Sequence, residues 1–245
     1  MRSNTRIIVA ATATAAIALC AGQAGAAFMS QFDTLPAGAE ANGVNGWKGW
    51  NNVAADAGVI SSDFAYEGPN SLLITGYTDA VQTFSGATSG QWSLSAKQYI
   101  PSGQKGLQYF IILNTYADNA MNNAGMWSTQ LKFNLNSGKI TDDFRSGGPP
   151  INIAFNQWAD LRIDIDLDAN TVSHFYNDTL VSSGSWTRNG ASALAIAAVD
   201  LYSADSNRAY YDNLSLVQVP APTTPGAVAI ALAAVAIPTR RRRPR

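Results

Sequence analysis

The sequence predicts an all-β protein built as a two-sheet antiparallel jelly-roll sandwich. Many short strand-like segments at regular spacing, the turn residues between them, and the absence of helical periodicity in 27–219 support this fold class. The clearest segment is 157–177. Apolar residues at the odd positions 161–167 alternate with charged residues at the even positions 162–168, as in a strand with one buried face. Asp168-Ala169-Asn170 then turns the chain into a second strand with two mixed faces, which predicts a bulge or a two-faced strand.

The other predicted strands follow in order and are separated by Gly, Pro, Asn and Asp turns. They are 28–32, 59–60, 71–75, 79–84, 91–100, 107–116, 128–134, 139–144, 194–202 and 209–217. The long apolar stretches 107–116 and 194–202 are typical of strands covered on both faces. Trp47 and Trp50 lie beside glycines in a predicted loop. About a dozen strands at this spacing favour one sandwich over two small domains.

The first 26 residues have the three parts of a secretory signal peptide. A short basic start is followed by an apolar run over 7–20 and by Ala24-Gly25-Ala26 before the expected cleavage site. We therefore expect 1–26 to be removed on export and 27–219 to form the sandwich domain; a buried N-terminal helix is the alternative. The only cysteine, Cys20, lies in this segment, so we expect no disulfide in the mature domain.

Residues 220–245 form a distinct C-terminal tail. Pro220-Ala221-Pro222 ends the last strand, since proline cannot extend a ladder, and an apolar run over 226–237 and an arginine cluster over 240–245 follow. This order resembles the PEP-CTERM sorting tails of exported bacterial proteins, with Pro-Ala-Pro in place of Pro-Glu-Pro. The resemblance implies a short hydrophobic helix that holds the chain in the inner membrane until an exosortase-type peptidase removes it, followed by delivery to the outer cell surface or extracellular matrix.

The apolar run of the tail is about a dozen residues, whereas spanning a bilayer takes roughly 17–25. We therefore expect inefficient processing of this tail. A basic disordered tail or a simple C-terminal anchor is the alternative.

The charge distribution excludes one class of partner. All 17 acidic residues lie between Asp33 and Asp212, and seven of the 16 basic residues are arginines of the two ends. The remaining nine basic residues give the central part a net charge of −8. Because an acidic body repels phosphate backbones, we expect no nucleic-acid partner.

Two stretches carry a family resemblance. The segment 157–167, followed by Asn170-Thr171-Val172 and Tyr176-Asn177, is similar to the laminin-G and concanavalin A-like jelly-roll group. Asp178 stands where that group usually has glycine. The segment 211–216 resembles the last strand of many jelly-roll carbohydrate-binding modules. The resemblance implies a concanavalin A-like sandwich.

No pair of carboxylates matches the pattern of a polysaccharide hydrolase. Such enzymes need one carboxylate as nucleophile or base and another as acid, about 5–10 Å apart. The only glutamates, Glu40 and Glu67, have no carboxylate partner at the usual spacing. The aspartates Asp164, Asp166 and Asp168 predict a solvated outer face, with a cation site or catalysis as alternatives.

His174 is the only histidine, so it is the one candidate for a Ser-His-Asp nucleophile system. Its position in the middle of a strand favours a structural or surface role instead. We therefore predict no catalytic residue and no enzyme activity.

A structural calcium ion is the best metal hypothesis. By resemblance, jelly-roll binding modules hold Ca²⁺ between the first and last strands, and Asp33 and Asp212 occupy comparable positions. In the alternative, Asp33 caps a turn and Asp212 pairs with a basic residue.

Strand parity and side-chain chemistry suggest a sugar site on the concave sheet. Hydroxyl, amide and carboxylate groups beside aromatic rings are suited to a polysaccharide or glycan. The predicted ligand-binding residues are Tyr116, Gln130, Asp200 and Tyr202. Trp92, Trp127 and Trp158 are interpreted as packing residues, with a sugar-binding role as the alternative.

These observations leave three functional hypotheses. The first is a non-catalytic cell-surface or exopolysaccharide-associated protein that binds carbohydrate. The second is a structural or adhesive surface protein without a sugar site. The third, disfavoured by the carboxylate pattern, is a polysaccharide hydrolase or lyase.

Overall fold

A computed structural model describes residues 26–220, except 77, 120–125, 146–147, 189–192 and 206. The predicted signal peptide and tail therefore lie outside the described residues, apart from Ala26 and Pro220. The strands are β1 (Ala26–Ser30), β2 (Trp47–Gly49), β3 (Val59–Ser61), β4 (Ser71–Thr75), β5 (Asp79–Thr83), β6 (Gln91–Tyr99), β7 (Leu107–Leu113), β8 (Trp127–Asn134), β9 (Lys139–Asp142), β10 (Ile151–Asn152), β11 (Trp158–Asp166), β12 (Thr171–Tyr176), β13 (Thr179–Ser185), β14 (Ala198–Ser203) and β15 (Arg208–Val219). Two 3₁₀ turns, Trp50–Asn52 and Ala54–Asp56, follow β2. No helix in this part of the chain is long and apolar enough to cross a membrane.

The strands form two antiparallel sheets. The front sheet has the order β10-β9-β8-β7-β14-β5-β2, and the back sheet has the order β13-β12-β11-β6-β15-β4-β3, with β1 also paired to β15. Strands that are far apart in sequence lie side by side, as β6 does with β15 and β7 does with β14. This arrangement is a jelly-roll sandwich, so the predicted fold class is confirmed.

The core lies between the two sheets and is filled by the inward residues of each strand. The largest fully buried side chains of this core include Trp47, Phe110, Phe133, Trp186 and Tyr211. The odd residues 161–165 of β11 are buried, and the even residues 162–166 face outward, as the alternation predicts. Burying each large apolar side chain contributes roughly 1.5–3 kcal/mol, so packing can hold this domain together without a disulfide.

The hairpin at 157–177 continues into a third strand that the sequence analysis did not predict. Asn177 and Asp178 both have left-handed backbone angles, with φ of 46° and 57°, and form a two-residue turn into β13. Asp178 therefore takes the role of the usual glycine, since Asn and Asp tolerate this geometry. The bulge expected in the second strand is not found there: β12 pairs with β11 without a shift and alternates in burial, and the extra residue in the β12–β13 ladder is Val181 of β13.

Two predicted strands lose three or more residues at one end in the structure. The strand expected at 107–116 ends at Leu113, and beyond it the Asn114 N–H bonds to the carbonyl of Met126, the residue before β8 (2.8 Å). The strand expected at 194–202 begins only at Ala198, and the Ile196 N–H bonds instead to Ala87 (2.9 Å). Both changes affect which side chains reach the outer face of the front sheet.

That outer face carries a second, smaller apolar cluster. Its buried members are Val81, Ile111, Leu113, Met126 and Ala198, and five aromatic side chains pack against them. A solvated sheet face normally carries polar residues. An outward apolar cluster with aromatic rings therefore marks this face as a candidate binding surface.

Candidate functional site

A cavity of about 510 Å³ lies on the outer face of the front sheet. Its walls combine four aromatic rings with three polar side chains. The lining residues are Trp50, Asp79, Tyr109, Ile111, Trp127, Gln130, Asp200, Tyr202 and Ala204. Small-molecule sites are concave, mostly apolar, and carry a few polar groups that orient the ligand, and this cavity fits that description.

Strand register places the polar groups of the cavity in two rows. Gln130, Ile111 and Asp200 lie opposite one another across β8, β7 and β14. In the next row Tyr109 and Tyr202 are neighbours, with ring centroids 5.8 Å apart, and Tyr202 pairs with Asp79 on β5. Side chains two residues apart on a strand share a face, so both rows point outward.

A bulge in β8 brings Trp127 to the cavity. Thr129 pairs with Ile112, but the next pair is Trp127 with Leu113, so Ser128 is an extra residue in the ladder. Without it, simple alternation would turn Trp127 toward the core. The Trp127 ring is parallel to that of Trp50, with an interplanar angle of 6° and centroids 6.3 Å apart.

Trp50 is held from behind by residues outside the cavity lining. Its ring contacts the Tyr116 ring edge-on at 5.0 Å. The Tyr116 hydroxyl accepts the Asn51 N–H (3.1 Å) and donates to Asp118 (2.9 Å), which forms an ion pair with Lys48 at 2.7 Å. These contacts fix the turn that carries Trp50.

The electrostatic centre of the cavity is a pair of carboxyl groups, Asp79 and Asp200. Asp200 is only 3% exposed, and the two groups lie within hydrogen-bonding distance of one another. Burial raises the pKa of both groups, and the neighbouring Asp79 charge raises that of Asp200 further. Like charges this close cannot both ionise cheaply, so the pair shares a proton unless a cation lies beside it.

Three of the four residues predicted for ligand binding lie together in this cavity: Gln130, Asp200 and Tyr202. Tyr116 does not line it. Alternation along 107–116 had placed Tyr116 beside Asn114, but the strand ends at Leu113, and Tyr116 instead supports Trp50 from outside the sheet.

Four aromatic or acidic lining residues are not among the predicted ligand-binding residues: Trp50, Asp79, Tyr109 and Trp127, the last of which had a sugar-binding role only as its alternative. Tyr109 shares a strand face with Ile111, so parity within β7 was an available signal. Trp127 had been interpreted as packing, and no sequence signal identifies the bulge that turns it outward. The pairing of Asp79 with Asp200 depends on two strands about 120 residues apart, which only the fold brings together.

The two aspartates of the calcium hypothesis approach the same loop, 64–70. Asp212 is fully buried at the bulge of β15 and accepts backbone N–H groups from Tyr66 (2.9 Å), Glu67 (3.2 Å) and Asn213 (2.8 Å). Asp33 accepts the Asn70 N–H at 3.3 Å.

Burial is the main cause that raises the pKa of Asp212, and the charge of Asp33 adds to it, while three backbone amides oppose it. Carboxylates are hard oxygen donors of the kind that Ca²⁺ accepts, but the loop presents backbone N–H groups to these two. Within the described residues no group of three or more His, Cys, Asp or Glu side chains is arranged to hold a metal ion. Calcium at Asp33 and Asp212 stays a prediction.

The aspartates of β11 lie on the outer face of the back sheet, as predicted for a solvated face. Asp164 accepts a hydrogen bond from Ser93 (2.9 Å), and Asp166 accepts one from Gln91 (2.8 Å). The Asp168 carboxylate beyond them accepts the Gly90 N–H at 2.9 Å. These contacts are cross-strand pairs that stabilise the sheet.

His174 is fully buried and lies beside a serine and an aspartate. Its Nδ1 is 2.9 Å from the Ser182 hydroxyl, which donates to Asp142 at 2.7 Å. The Ser182 hydroxyl has one proton and donates it in the hydrogen bond to Asp142, so the imidazole must donate to Ser182 from Nδ1. The Nε2 atom of the neutral ring is then unprotonated, and it has no hydrogen-bond partner in the structure. In a catalytic triad the histidine lies between serine and aspartate, whereas here Ser182 lies between the other two. The group ties β12 and β13 of the back sheet to β9 of the front sheet.

No protein-family model and no curated protein matches this chain. Among solved structures, a sialidase superposes with a TM-score of 0.55 at 10% identity, covering 80% of this chain and 19% of the sialidase. A carbohydrate esterase from the Shiga toxin-encoding bacteriophage phi24B superposes with a TM-score of 0.54 at 10% identity, covering 81% of this chain and all of the esterase. The chain thus spans about a fifth of the sialidase. At these identities the likeness establishes the sandwich fold alone.

Proposed function

We propose that this protein is an exported, non-catalytic cell-surface or exopolysaccharide-associated protein that binds carbohydrate in the front-sheet cavity. The observation that carries the proposal is the cavity itself, in which four aromatic rings surround Gln130, Asp79 and Asp200. An aromatic ring covers the apolar face of a pyranose, and amide and carboxyl groups bond its hydroxyls. Two solved structures with this fold, named as a sialidase and a carbohydrate esterase, support the general association with carbohydrate.

A glycan array run on the protein with and without calcium tests the proposal. We expect binding to at least one polysaccharide, and we expect Trp127→Ala to weaken it about tenfold or more, because central aromatic residues dominate binding energy. Trp158→Ala is the matched control, since Trp158 is a half-buried tryptophan on the outer face of the back sheet. Absence of binding to any polysaccharide would leave a structural or adhesive surface protein as the better function. Loss of binding in Trp158→Ala alone would move the site to the back sheet.

Catalysis is the second candidate function, because the Asp79–Asp200 pair shares a proton as some general acid–base dyads do. The two groups are in contact, however, whereas glycoside hydrolysis uses carboxyls roughly 5–10 Å apart to leave room for the substrate or water. Assays against β-glucans and alginates decide the point. Turnover that Asp200→Asn abolishes would make the protein an enzyme.

Export and tail removal belong to the same proposal and rest on segments 1–26 and 220–245. Secretion is supported by the basic start, the apolar run and the Ala-Gly-Ala site of the first segment. The second segment supports a PEP-CTERM-like sorting tail, because Pro-Ala-Pro is followed by an apolar run and an arginine cluster. An exosortase-type peptidase would act on this tail at the inner membrane. Mass spectrometry of the surface-exposed protein should find a new N-terminus near Ala27 and a C-terminus near Pro220. Recovery at the surface of only those chains that keep the arginine cluster would refute tail removal.

A further inference from the structure

The charges that line the cavity all have one sign. Among the described residues that line it, Asp79 and Asp200 carry the carboxylates and none is a lysine or an arginine. Asp56 lies close enough to raise the pKa of Asp79 further. The nearby Lys48 and Lys132 have carboxylate partners of their own, Asp118 and Asp143.

The carboxyl pair has unmet hydrogen-bonding capacity. When both groups are ionised, Oδ1 of Asp79 and Oδ1 of Asp200 are buried without a donor. A buried carboxylate oxygen without a donor is costly, so the site favours either a proton or a cationic donor between the two groups. Asp200 is 97% buried, as its 3% exposure implies, and it lines the cavity.

The walls favour an organic ammonium group over a metal ion. Ca²⁺ takes six to eight oxygen ligands, and the cavity offers two carboxylates and one amide. Aromatic faces attract ammonium groups through the ring quadrupole, and Trp50, Tyr109, Trp127 and Tyr202 surround the carboxyl pair. An ammonium also brings three N–H donors, enough to reach both unpartnered oxygens.

We propose that the front-sheet cavity selects amine-bearing sugars. The ammonium group lies between the Asp79 and Asp200 carboxylates, and the sugar ring packs against the aromatic walls. This specificity rests on the carbohydrate binding proposed above. The cavity volume of about 510 Å³ exceeds what an ammonium group needs and is typical of sites for whole small ligands. A sugar fills the space that a lysine side chain or a simple amine leaves open.

The test is isothermal titration calorimetry on the full chain with three matched oligosaccharides. Glucosamine tetramer carries free amines, N-acetylglucosamine tetramer carries neutral amides, and cellotetraose carries hydroxyls at the same position. We expect the glucosamine tetramer to bind about tenfold or more tightly than either neutral tetramer, because it alone supplies a buried charge partner. Spermidine and a lysine-rich peptide serve as amines without a sugar ring and should bind more weakly.

Two variants and one control locate the effect. Asp200→Asn and Asp79→Asn should each remove the preference for the amine, lowering the affinity for the glucosamine tetramer more than the affinity for either neutral tetramer. Asp178→Asn is the control, because Asp178 is a 91% exposed side chain in the β12–β13 turn, where asparagine tolerates the φ of 57°. Removing that charge should change affinity less than about twofold, since an exposed charge is well screened. Thermal melts check that each variant is folded.

Each outcome has a defined meaning. Three results would overturn the amine preference and leave carbohydrate binding intact. They are equal affinity for the three tetramers, an unchanged preference in Asp79→Asn and Asp200→Asn, and a loss of preference in Asp178→Asn as large as in those two variants. Tighter binding of spermidine or the peptide would replace the sugar by another amine ligand. Binding of none of the tetramers, together with an empty glycan array, would overturn both the preference and the proposed function.

Discussion

Acidification should destabilise this protein in part through His174. The imidazole is fully buried, and its Nδ1 donates to Ser182, which donates to Asp142. Burial is the largest influence and lowers the pKa of His174 to about 4, although the Asp142 carboxylate, 3.6 Å away, acts to raise it and Arg145 acts to lower it. Burial outweighs the carboxylate because a charged ring would lose all hydration and its Nε2–H would have no acceptor.

The sign and size of the effect follow from the two pKa values. Between the unfolded-state pKa of 6.5 and the folded-state pKa of about 4, the unfolded chain binds more protons than the folded one. The free energy of unfolding must therefore fall as pH falls through this window. At about 1.4 kcal/mol per pH unit, the loss attributable to His174 is roughly 3 kcal/mol.

Urea unfolding at a series of pH values between 7.5 and 4, on the native protein and on His174→Asn, measures this loss. Asparagine keeps a donor near the Nδ1 position and does not titrate, so it lowers stability at all pH values but lacks the histidine-dependent slope. The carboxyl groups contribute similarly to both proteins, and the difference between the two curves isolates His174. Because His174 is the only histidine, NMR of the untagged protein reports its tautomer and titration without assignment.

Two parallel stability curves between pH 6.5 and 4 would refute the reasoning. A ring nitrogen signal for the Nε2–H tautomer would refute the hydrogen-bond order in which Ser182 donates to Asp142. An NMR titration midpoint near 6.5 in the folded protein would mean that the ring is hydrated rather than buried.

Three further predictions concern the carboxylates. Asp200→Asn should raise the free energy of unfolding at neutral pH. Burial raises the folded-state pKa of Asp200, so the stability that this carboxyl group contributes is fully present below the unfolded-state pKa of 3.8 and is lost as pH rises through the folded-state pKa. Urea titrations at pH 4 and 8 check this, and an equal gain at both would contradict it. Asp212→Ala should lower the free energy of unfolding by about 2–4 kcal/mol, because three backbone N–H groups lose their charged acceptor. Asp212→Asn should lower it less. If urea unfolding shows that Asp212→Ala loses less than about 0.5 kcal/mol, the loop does not need this carboxylate. If Asp33 and Asp212 hold calcium, the ion at 100 times its dissociation constant should raise Tm by roughly 5–10 °C, and an EDTA-treated sample with unchanged Tm would rule the ion out.

The fold was predictable because strand patterning is local. The alternation along β11 shows which face is buried without knowledge of the partner strand, and proline or Asn-Gly-rich breaks mark the ends of most strands. Strand β13 was not predicted, because its Ser- and Gly-rich residues lack alternation and its turn uses Asn177-Asp178 in place of a glycine. The mixed faces of β12 suggested a bulge in the wrong strand, because the buried His174 is a polar residue on the core face and the extra residue, Val181, lies in β13.

The candidate site was predictable only in part. Asp200 and Tyr202 share a face of one regular strand, and Gln130 alternates with the core residues of β8, so parity alone placed all three outward. Tyr116 was misplaced because parity was carried past the point where the strand ends. Trp127 was interpreted as a packing residue, with sugar binding only as the alternative, because one extra residue in the ladder reverses its direction.

The sequence by itself determined the all-β class, the inward and outward faces of the regular strands, and the acidic character of the central part, because each depends on residue type and spacing along one segment. Only the tertiary structure decided the chemistry of the site. Asp79 and Asp200 become a coupled carboxyl pair because β5 and β14 are neighbours in the front sheet, and His174 meets Asp142 because the two sheets are packed together. Such contacts depend on which strands become neighbours, and the cost of burying a charge depends on what then surrounds it.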